Sequence, residues 1–144
     1  MYYFFKKILY RFQYAKYVGQ LPFYMIREFS IQENYTAEEV DFTIIAHGFN
    51  KRFSPIGYAM FCTPEQSEAA SIEFRPCPSH AEIRSTIASR YFNRNANFNL
   101  HRLMQRSLFK ASWGDGRQKN PAIDEYWRYI FELEEAEKKE LDAL

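Results

Sequence analysis

The sequence predicts an all-α fold, a compact single domain of about six or seven helices. Three observations predict it. Helix start signals recur along the chain, alternation of apolar and polar residues is nearly absent, and 144 residues, 47% of them hydrophobic, suffice for one core but not for two. Only residues 71–75, with Ile72 and Phe74 on one side, suggest a short strand.

The helix start signals are of two kinds. Thr36 and Ser79 each stand three residues before a glutamate, which is the spacing of a capping box. Ser54-Pro55 and Asn120-Pro121 place proline just after a capping residue, where a missing N–H costs nothing. Gly48 is a typical helix end. Together with apolar periodicity, these signals predict helices at 3–18, 22–29, 37–47, 55–62, 80–93, 100–112 and 121–140.

The glycine-containing loop at 114–120 divides the chain into two parts. Residues 1–119 are expected to form the helical core. Residues 120–144 are expected to form a C-terminal helix with a charged tail, either within the same domain or loosely packed on it. Acidic residues precede basic ones at four-residue spacing in this tail, a pattern typical of a solvated helix.

The first helix has two contrasting faces. On a helical wheel its apolar side chains fall on one arc, formed by Phe4, Phe5, Ile8, Leu9, Phe12 and Ala15. The opposite arc carries cations together with Tyr10, Tyr14 and Tyr17. The favoured interpretation is that the phenylalanine stripe buries the helix in the fold while the tyrosines cover neighbouring loops. The alternatives are a membrane-surface helix, or a surface that stacks on nucleic-acid bases.

Aromatic residues make up 19% of the chain, more than a core of this size is expected to hide. Some aromatic surface is therefore expected to meet a partner, most simply another protein or a second copy of the chain. Tyrosine, tryptophan and arginine often dominate such interfaces. The candidate interface residues lie on the first and last helices: Tyr10, Tyr14, Tyr17, Tyr126, Trp127 and Tyr129.

The net charge of +1 conceals segregated blocks, of which residues 79–119 carry +6 and residues 120–144 carry −5. If the basic side chains of the first of these blocks face one way, they form a surface for nucleic-acid phosphates. Otherwise these basic side chains lie on a solvent-exposed face or contact the acidic C-terminal helix. The nucleic-acid alternative uses Arg84, Arg90, Arg94, Arg102, Arg106 and Lys110.

The sequence offers little for catalysis. His47, His80 and His101 share no metal-binding spacing, and no nucleophile or phosphate-loop motif occurs. Cys62 and Cys77 are expected to be reduced thiols, and no cofactor is predicted. The longest apolar stretch is too short to cross a bilayer, so a cytoplasmic or membrane-peripheral, non-enzymatic protein is expected.

Several motifs occur in a defined order along residues 3–104. An aromatic, basic N-terminus precedes a helix start at Tyr35-Thr36, then the segment Ile56–Cys62, then a helix containing Ile83-Arg84, and last Asn95 and Phe98. This order resembles an uncharacterised family of small bacterial proteins, a domain of unknown function. The resemblance implies a bacterial, cytoplasmic or membrane-peripheral setting and no activity. The segment from Trp113 onward departs from the glycine-, serine- or histidine-rich tails of such proteins.

Overall fold

The computed structural model describes the backbone of residues 2–113 and the side chains of residues 9–106, together with residues 135, 138–140, 142 and 143. The six α-helices of the segment 2–113 are α1 (Tyr2–Phe29), α2 (Ala37–Ala46), α3 (Ser54–Phe61), α4 (Pro64–Ser71), α5 (His80–Tyr91) and α6 (Leu100–Trp113). Short 3-10 turns cover Lys51–Phe53 and Ile72–Phe74. The all-α fold is confirmed. The predicted helix at 121–140 and the proposed boundary at 114–120 lie outside the continuous described segment.

Helix α3 is the centre of the core, because every residue from Ser54 to Phe61 is buried. It packs against α1, α2, α4 and α5. The close packing depends on Gly57, where an added Cβ would lie 2.9 Å from Val40 Cγ1 on α2 and 3.2 Å from Leu21 Cδ2 on α1. A side chain at this position would push the three helices apart.

Helix α1 is continuous, and the prediction of two helices separated before Pro22 is wrong. Proline removes one backbone hydrogen bond, which usually ends or kinks a helix. Here the residues on both sides of it are anchored in the core, since Leu21 and Met25 are fully buried. Burial of this apolar face compensates for the missing bond.

The structure contradicts one half of the favoured interpretation of α1, because the described large residues of its apolar stripe are exposed. Leu9 and Phe12 are 46% and 62% exposed, whereas Tyr14 and Tyr17 are only 5% and 0% exposed. The Tyr17 hydroxyl donates a 2.7 Å hydrogen bond to the carbonyl of Asn50, so the buried phenol has its polar partner inside the fold. The expected burial of the apolar stripe is therefore wrong at Leu9 and Phe12, whereas Tyr17 covers the neighbouring loop as expected.

The start signals are confirmed in different degrees. Thr36 and Glu39 form the complete capping box, and Gly48 has the positive φ of 70° expected after a helix end. The Ser79 hydroxyl accepts from the Glu82 N–H and donates to the Glu82 carboxylate. That carboxylate does not accept from the backbone N–H of Ser79, so this capping box is incomplete. Ser54 is not a cap, because its hydroxyl donates to the Lys51 carbonyl of the preceding turn.

The suggested strand at 71–75 is also wrong, and a helix before it was not predicted. Residues Ile72–Phe74 form a 3-10 turn that follows α4 directly. Helix α4 begins with a cap, since the Thr63 hydroxyl accepts from the Gln66 N–H. Its sequence lacks an apolar stripe, and its buried residues are the small polar Ser67 and Ser71, so apolar periodicity did not reveal it.

Candidate functional site

The basic residues of the α5–α6 region fall into groups with different surroundings. Arg84 is partly buried and its guanidinium donates to three backbone carbonyls, those of Ala59, Ala96 and Phe98. It also lies 3.8 Å from the centre of the Phe98 ring. Burial lowers the pKa of Arg84. Arg84 is therefore committed to the fold, which corrects its assignment as a candidate ligand-binding residue.

Arg90 and Arg106 lie over tyrosine rings. The Arg90 guanidinium is 5.1 Å from the centre of the Tyr14 ring, and that of Arg106 is 4.9 Å from the Tyr91 ring. Arg90 is exposed and Arg106 is partly buried. These cation–π contacts hold the two charges in place at the junction of α1, α5 and α6 without neutralising them.

Arg94 and Arg102 are exposed to solvent on the loop after α5 and on the first turn of α6. Within the segment whose side chains are described, no ion pair involves an arginine, and the ion pair that does occur joins His47 to Glu28 at 3.0 Å. The Arg106 guanidinium lies over Tyr91, the residue after Arg90, and Arg106 is one helical turn after Arg102, so these arginines surround the contact between the end of α5 and the start of α6. We call Arg90, Arg94, Arg102 and Arg106 the arginine face. The Lys110 side chain lies outside the described residues.

A pocket of about 400 Å³ opens beside this face, between the end of α5 and the start of α6. Its lining is mostly polar and contains four asparagines and one arginine. The lining residues are Phe92, Asn93, Asn95, Asn97, Phe98, Asn99 and Arg102. Asn93 and Arg94 adopt left-handed backbone conformations, with φ of 51° and 66°, which turn the chain sharply after α5.

Two of the asparagines shape the loop around this pocket. The Asn95 carboxamide oxygen accepts from the Asn97 N–H at 3.0 Å, and that of Asn99 accepts from the Arg102 N–H at 3.1 Å. The second bond caps the start of α6. The Arg84 bonds to the carbonyls of Ala96 and Phe98 hold the same loop from its inner side. The pocket wall is thus fixed by contacts within the fold.

The described candidates for a protein interface, Tyr10, Tyr14 and Tyr17, do not lie together on an exposed surface. Tyr14 and Tyr17 are buried, while Tyr10 is partly buried and packs edge-to-face on Phe53 with ring centres 5.2 Å apart. Tyr126, Trp127 and Tyr129 lie outside the described residues. The large hydrophobic side chains that the described part of α1 exposes are Leu9 and Phe12, from the arc that was expected to be buried.

The thiols and histidines form no shared centre. Among the described residues no three His, Cys, Asp or Glu side chains are grouped so that they could hold a metal ion. Cys62 is buried, which raises the pKa of its thiol to about 12, and both cysteines are free. No helix in the described part of the chain is long and apolar enough to cross a membrane.

The family relationship of the chain agrees with the order of motifs along residues 3–104. The sequence profile of a family of unknown function, DUF6559, matches residues 2–125. The chain belongs to this family. No curated protein and no solved structure matches the chain. The expected membership in an uncharacterised family is confirmed, and the DUF6559 match includes every element from α1 to α6.

In this DUF6559 protein the pocket is lined by asparagines that were not predicted as site residues from the sequence. The sequence patterns that indicate acid–base catalysis depend on groups that ionise, and a carboxamide does not ionise. The available signal was the alternation of asparagine at 93, 95, 97 and 99 between two predicted helices. Such a density of turn-forming polar residues next to basic ones marks a structured loop with many hydrogen-bonding groups.

Proposed function

We propose that this protein is a non-enzymatic, nucleic-acid-binding protein that uses the arginine face. The observation that carries the proposal is that the four arginines of this face lie on α5, on α6 and on the loop between them, and have no carboxylate partner among the described residues. Such a surface attracts a polyanion, because each phosphate bound releases condensed counterions. The bacterial and cytoplasmic setting implied by the family resemblance is part of the proposal.

The geometry of the cations supports this proposal over a dispersed, solvated surface. Arg90 and Arg106 are held over the Tyr14 and Tyr91 rings, so less side-chain entropy is lost when they bind a phosphate. Arg102 reaches the same region from the first turn of α6 and also lines the pocket. Arginine binds phosphate through a planar fork of donors, which favours repeated backbone contacts along a strand.

The test is fluorescence anisotropy of a labelled single-stranded oligonucleotide, titrated with the full-length protein at several salt concentrations. Arg94→Gln combined with Arg102→Gln should weaken binding about tenfold and reduce the salt slope by roughly 1.4, since each lost phosphate contact contributes about 0.7 for a single strand. The matched control is Arg27→Gln combined with Arg52→Gln, which removes the same charge from exposed positions outside the arginine face.

The control should leave affinity within about twofold of the parent protein, apart from the small effect of net charge. Equal losses in both double variants would mean that binding follows total charge and not the arginine face. No binding at low salt by the parent protein would reject the nucleic-acid function itself.

A second candidate function is association with a protein partner, including a second copy of the chain, through the exposed side of α1. The observation that favours it is the exposure of two large apolar residues close together, Leu9 at 46% and Phe12 at 62%. Apolar residues one turn apart on an exposed helix are typical anchors of helix-mediated contacts. Exposed Arg11 lies between them in sequence.

Multi-angle light scattering of the full-length protein tests this second candidate. Self-association through α1 predicts a dimer that becomes monomeric in the variant Leu9→Ser combined with Phe12→Ser, with the helical circular dichroism signal retained. A matched control replaces Phe42 and Ile45 on α2, which are similarly exposed. A monomeric parent protein rejects self-association. Flotation of that protein with anionic liposomes, lost in the α1 variant, would instead identify a membrane surface as the partner.

A further inference from the structure

The pocket beside the arginine face is suited to a ligand more specific than a phosphate backbone. We infer that it accepts one unstacked base of a single-stranded nucleic acid, with the adjoining phosphate bound by Arg102. This inference rests on the proposed function and goes beyond it, since the arginine face alone does not distinguish single strands from duplexes. The pocket volume of about 400 Å³ falls in the range of small-ligand sites.

The hydrogen-bonding groups of the pocket match the edge of a base. Asn95 and Asn99 use their carboxamide oxygens on backbone N–H groups, which leaves their NH₂ groups as donors. Asn93 and Asn97 make no side-chain hydrogen bond with the other described residues, so each offers both a donor and an acceptor. Base edges present donors and acceptors side by side, and a carboxamide pairs with both at once.

The aromatic part of the lining supplies a stacking surface. Phe92 and Phe98 are stacked, with ring centres 4.9 Å apart and planes inclined by 24°. The Arg84 guanidinium lies over the Phe98 ring. Arg84, Phe98 and Phe92 therefore form one stack that starts in the interior of the fold. Phe98 is only 4% exposed, whereas Phe92 is partly exposed and lines the pocket. A base stacks favourably on such a ring whatever its identity.

The charges around the pocket favour a nucleotide over other polar ligands. Arg102 lines the pocket and Arg94 lies between two lining asparagines, Asn93 and Asn95. No aspartate or glutamate belongs to the lining, so a cation would find no carboxylate there. A base that enters the pocket carries a sugar and phosphate with it, and the guanidinium of Arg102 provides the anion contact that these require.

The wall of the pocket is formed before any ligand arrives. Arg84 holds the loop from inside through the carbonyls of Ala96 and Phe98, and Asn99 fixes the start of α6. A loop held in this way loses little conformational entropy on binding, which increases affinity for a ligand that fits. An unpaired base of a single strand can enter the pocket at a small cost in free energy, whereas a duplex must first break a base pair.

The experiment compares three labelled probes of equal length: a single strand, the corresponding duplex, and a single strand in which the central residues are abasic. We expect the single strand to bind at least about fivefold more tightly than either of the others, the lower end of what stacking of one base contributes. The variant Asn93→Gly combined with Asn97→Ala keeps the left-handed backbone at position 93, and it should reduce this preference while leaving duplex affinity unchanged. Asn34→Ala, at an exposed asparagine far along the chain, is the control.

A milder change tests the stacking contact separately. Phe92→Leu keeps an apolar side chain at the pocket and should reduce single-strand affinity with little change in duplex affinity. Equal affinity for all three probes in the parent protein would overturn the base-pocket inference while leaving the proposed function intact. Absence of binding to any of them would reject both.

A titration followed by nuclear magnetic resonance separates a base site from a simple anion site. Adenosine 5′-monophosphate, ribose 5-phosphate and inorganic phosphate are added in turn, and the side-chain amide signals of Asn93 and Asn97 are followed. The inference predicts shifts with the nucleotide that are larger than those with ribose 5-phosphate and absent with phosphate. Equal shifts with ribose 5-phosphate would identify a sugar-phosphate site and overturn the inference.

Discussion

Arg84 and Arg102 lie on neighbouring helices around the same loop, yet their guanidinium groups have opposite surroundings. Arg84 meets three carbonyls and the Phe98 ring, whereas Arg102 is exposed at the rim of the pocket. In sequence both belong to one basic block of +6 between residues 79 and 119. The difference shows that one basic block of the sequence can contain an arginine that stabilises the pocket and an arginine that would bind the ligand.

The largest expected effect comes from removing the inner arginine. Arg84→Ala should lower the free energy of unfolding by about 2–4 kcal/mol, because three carbonyls lose a charged donor and the loop loses its inner support. Urea denaturation followed by circular dichroism measures it. Arg84→Lys should recover less than half of the loss, since an ammonium cannot reach all three acceptors as a planar fork does.

A decrease in the free energy of unfolding below about 0.5 kcal/mol in Arg84→Ala would contradict the contrast between Arg84 and Arg102, since such a decrease is typical of a surface substitution. The inner arginine would then be no more structural than the outer ones.

An intermediate effect is expected at Tyr17, another polar side chain committed to the interior. Tyr17→Phe should cost about 1 kcal/mol at neutral pH, because the buried phenol loses its 2.7 Å bond to the Asn50 carbonyl. Burial raises the pKa of Tyr17 above its usual 10.0. The folded protein therefore keeps the neutral phenol above that pH while the unfolded chain ionises, and stability falls as pH rises.

The phenylalanine variant lacks this ionisation, so the difference in stability between it and the parent protein should narrow from about pH 8 to about pH 11. Urea denaturation at both pH values checks the sign. A difference that widens with pH would mean that the phenol is ionised in the fold, contrary to its burial.

The smallest effect on stability is expected at the outer arginine. Arg102→Ala should change the free energy of unfolding by no more than about 0.5 kcal/mol, because the exposed guanidinium has no carboxylate partner among the described residues. The same variant should weaken oligonucleotide binding in the anisotropy assay. A large loss of stability without loss of binding would mean that Arg102 is a structural residue. The oligonucleotide would then bind at another surface of the protein.

The sequence predicted those parts of the fold that local chemistry decides. The Thr36 capping box and the helix end at Gly48 depend on a few adjacent residues, and the structure has both. The faces of α1 depend on what packs against the helix, and a wheel cannot supply that. Tyr17 is buried because Asn50 and Phe49 meet it from a distant part of the chain.

The candidate site was predictable only in part, for the same reason. The basic residues were identified, but the separation of Arg84 from the arginine face needs the positions of the Ala59 and Phe98 carbonyls. The pocket forms only where α5 and α6 bring the loop between them into a fixed shape. A concave surface is a property of tertiary structure, and no local pattern encodes its volume.

The close approach at Gly57 gives a practical way to separate folding from binding in a living cell. A methyl group there meets Val40 and Leu21, side chains that are themselves enclosed and have little room to withdraw. Gly57→Ala therefore strains the junction of α1, α2 and α3 without touching the arginine face. We expect such an allele to be temperature-sensitive, with normal behaviour when cool and loss of the whole protein when warm.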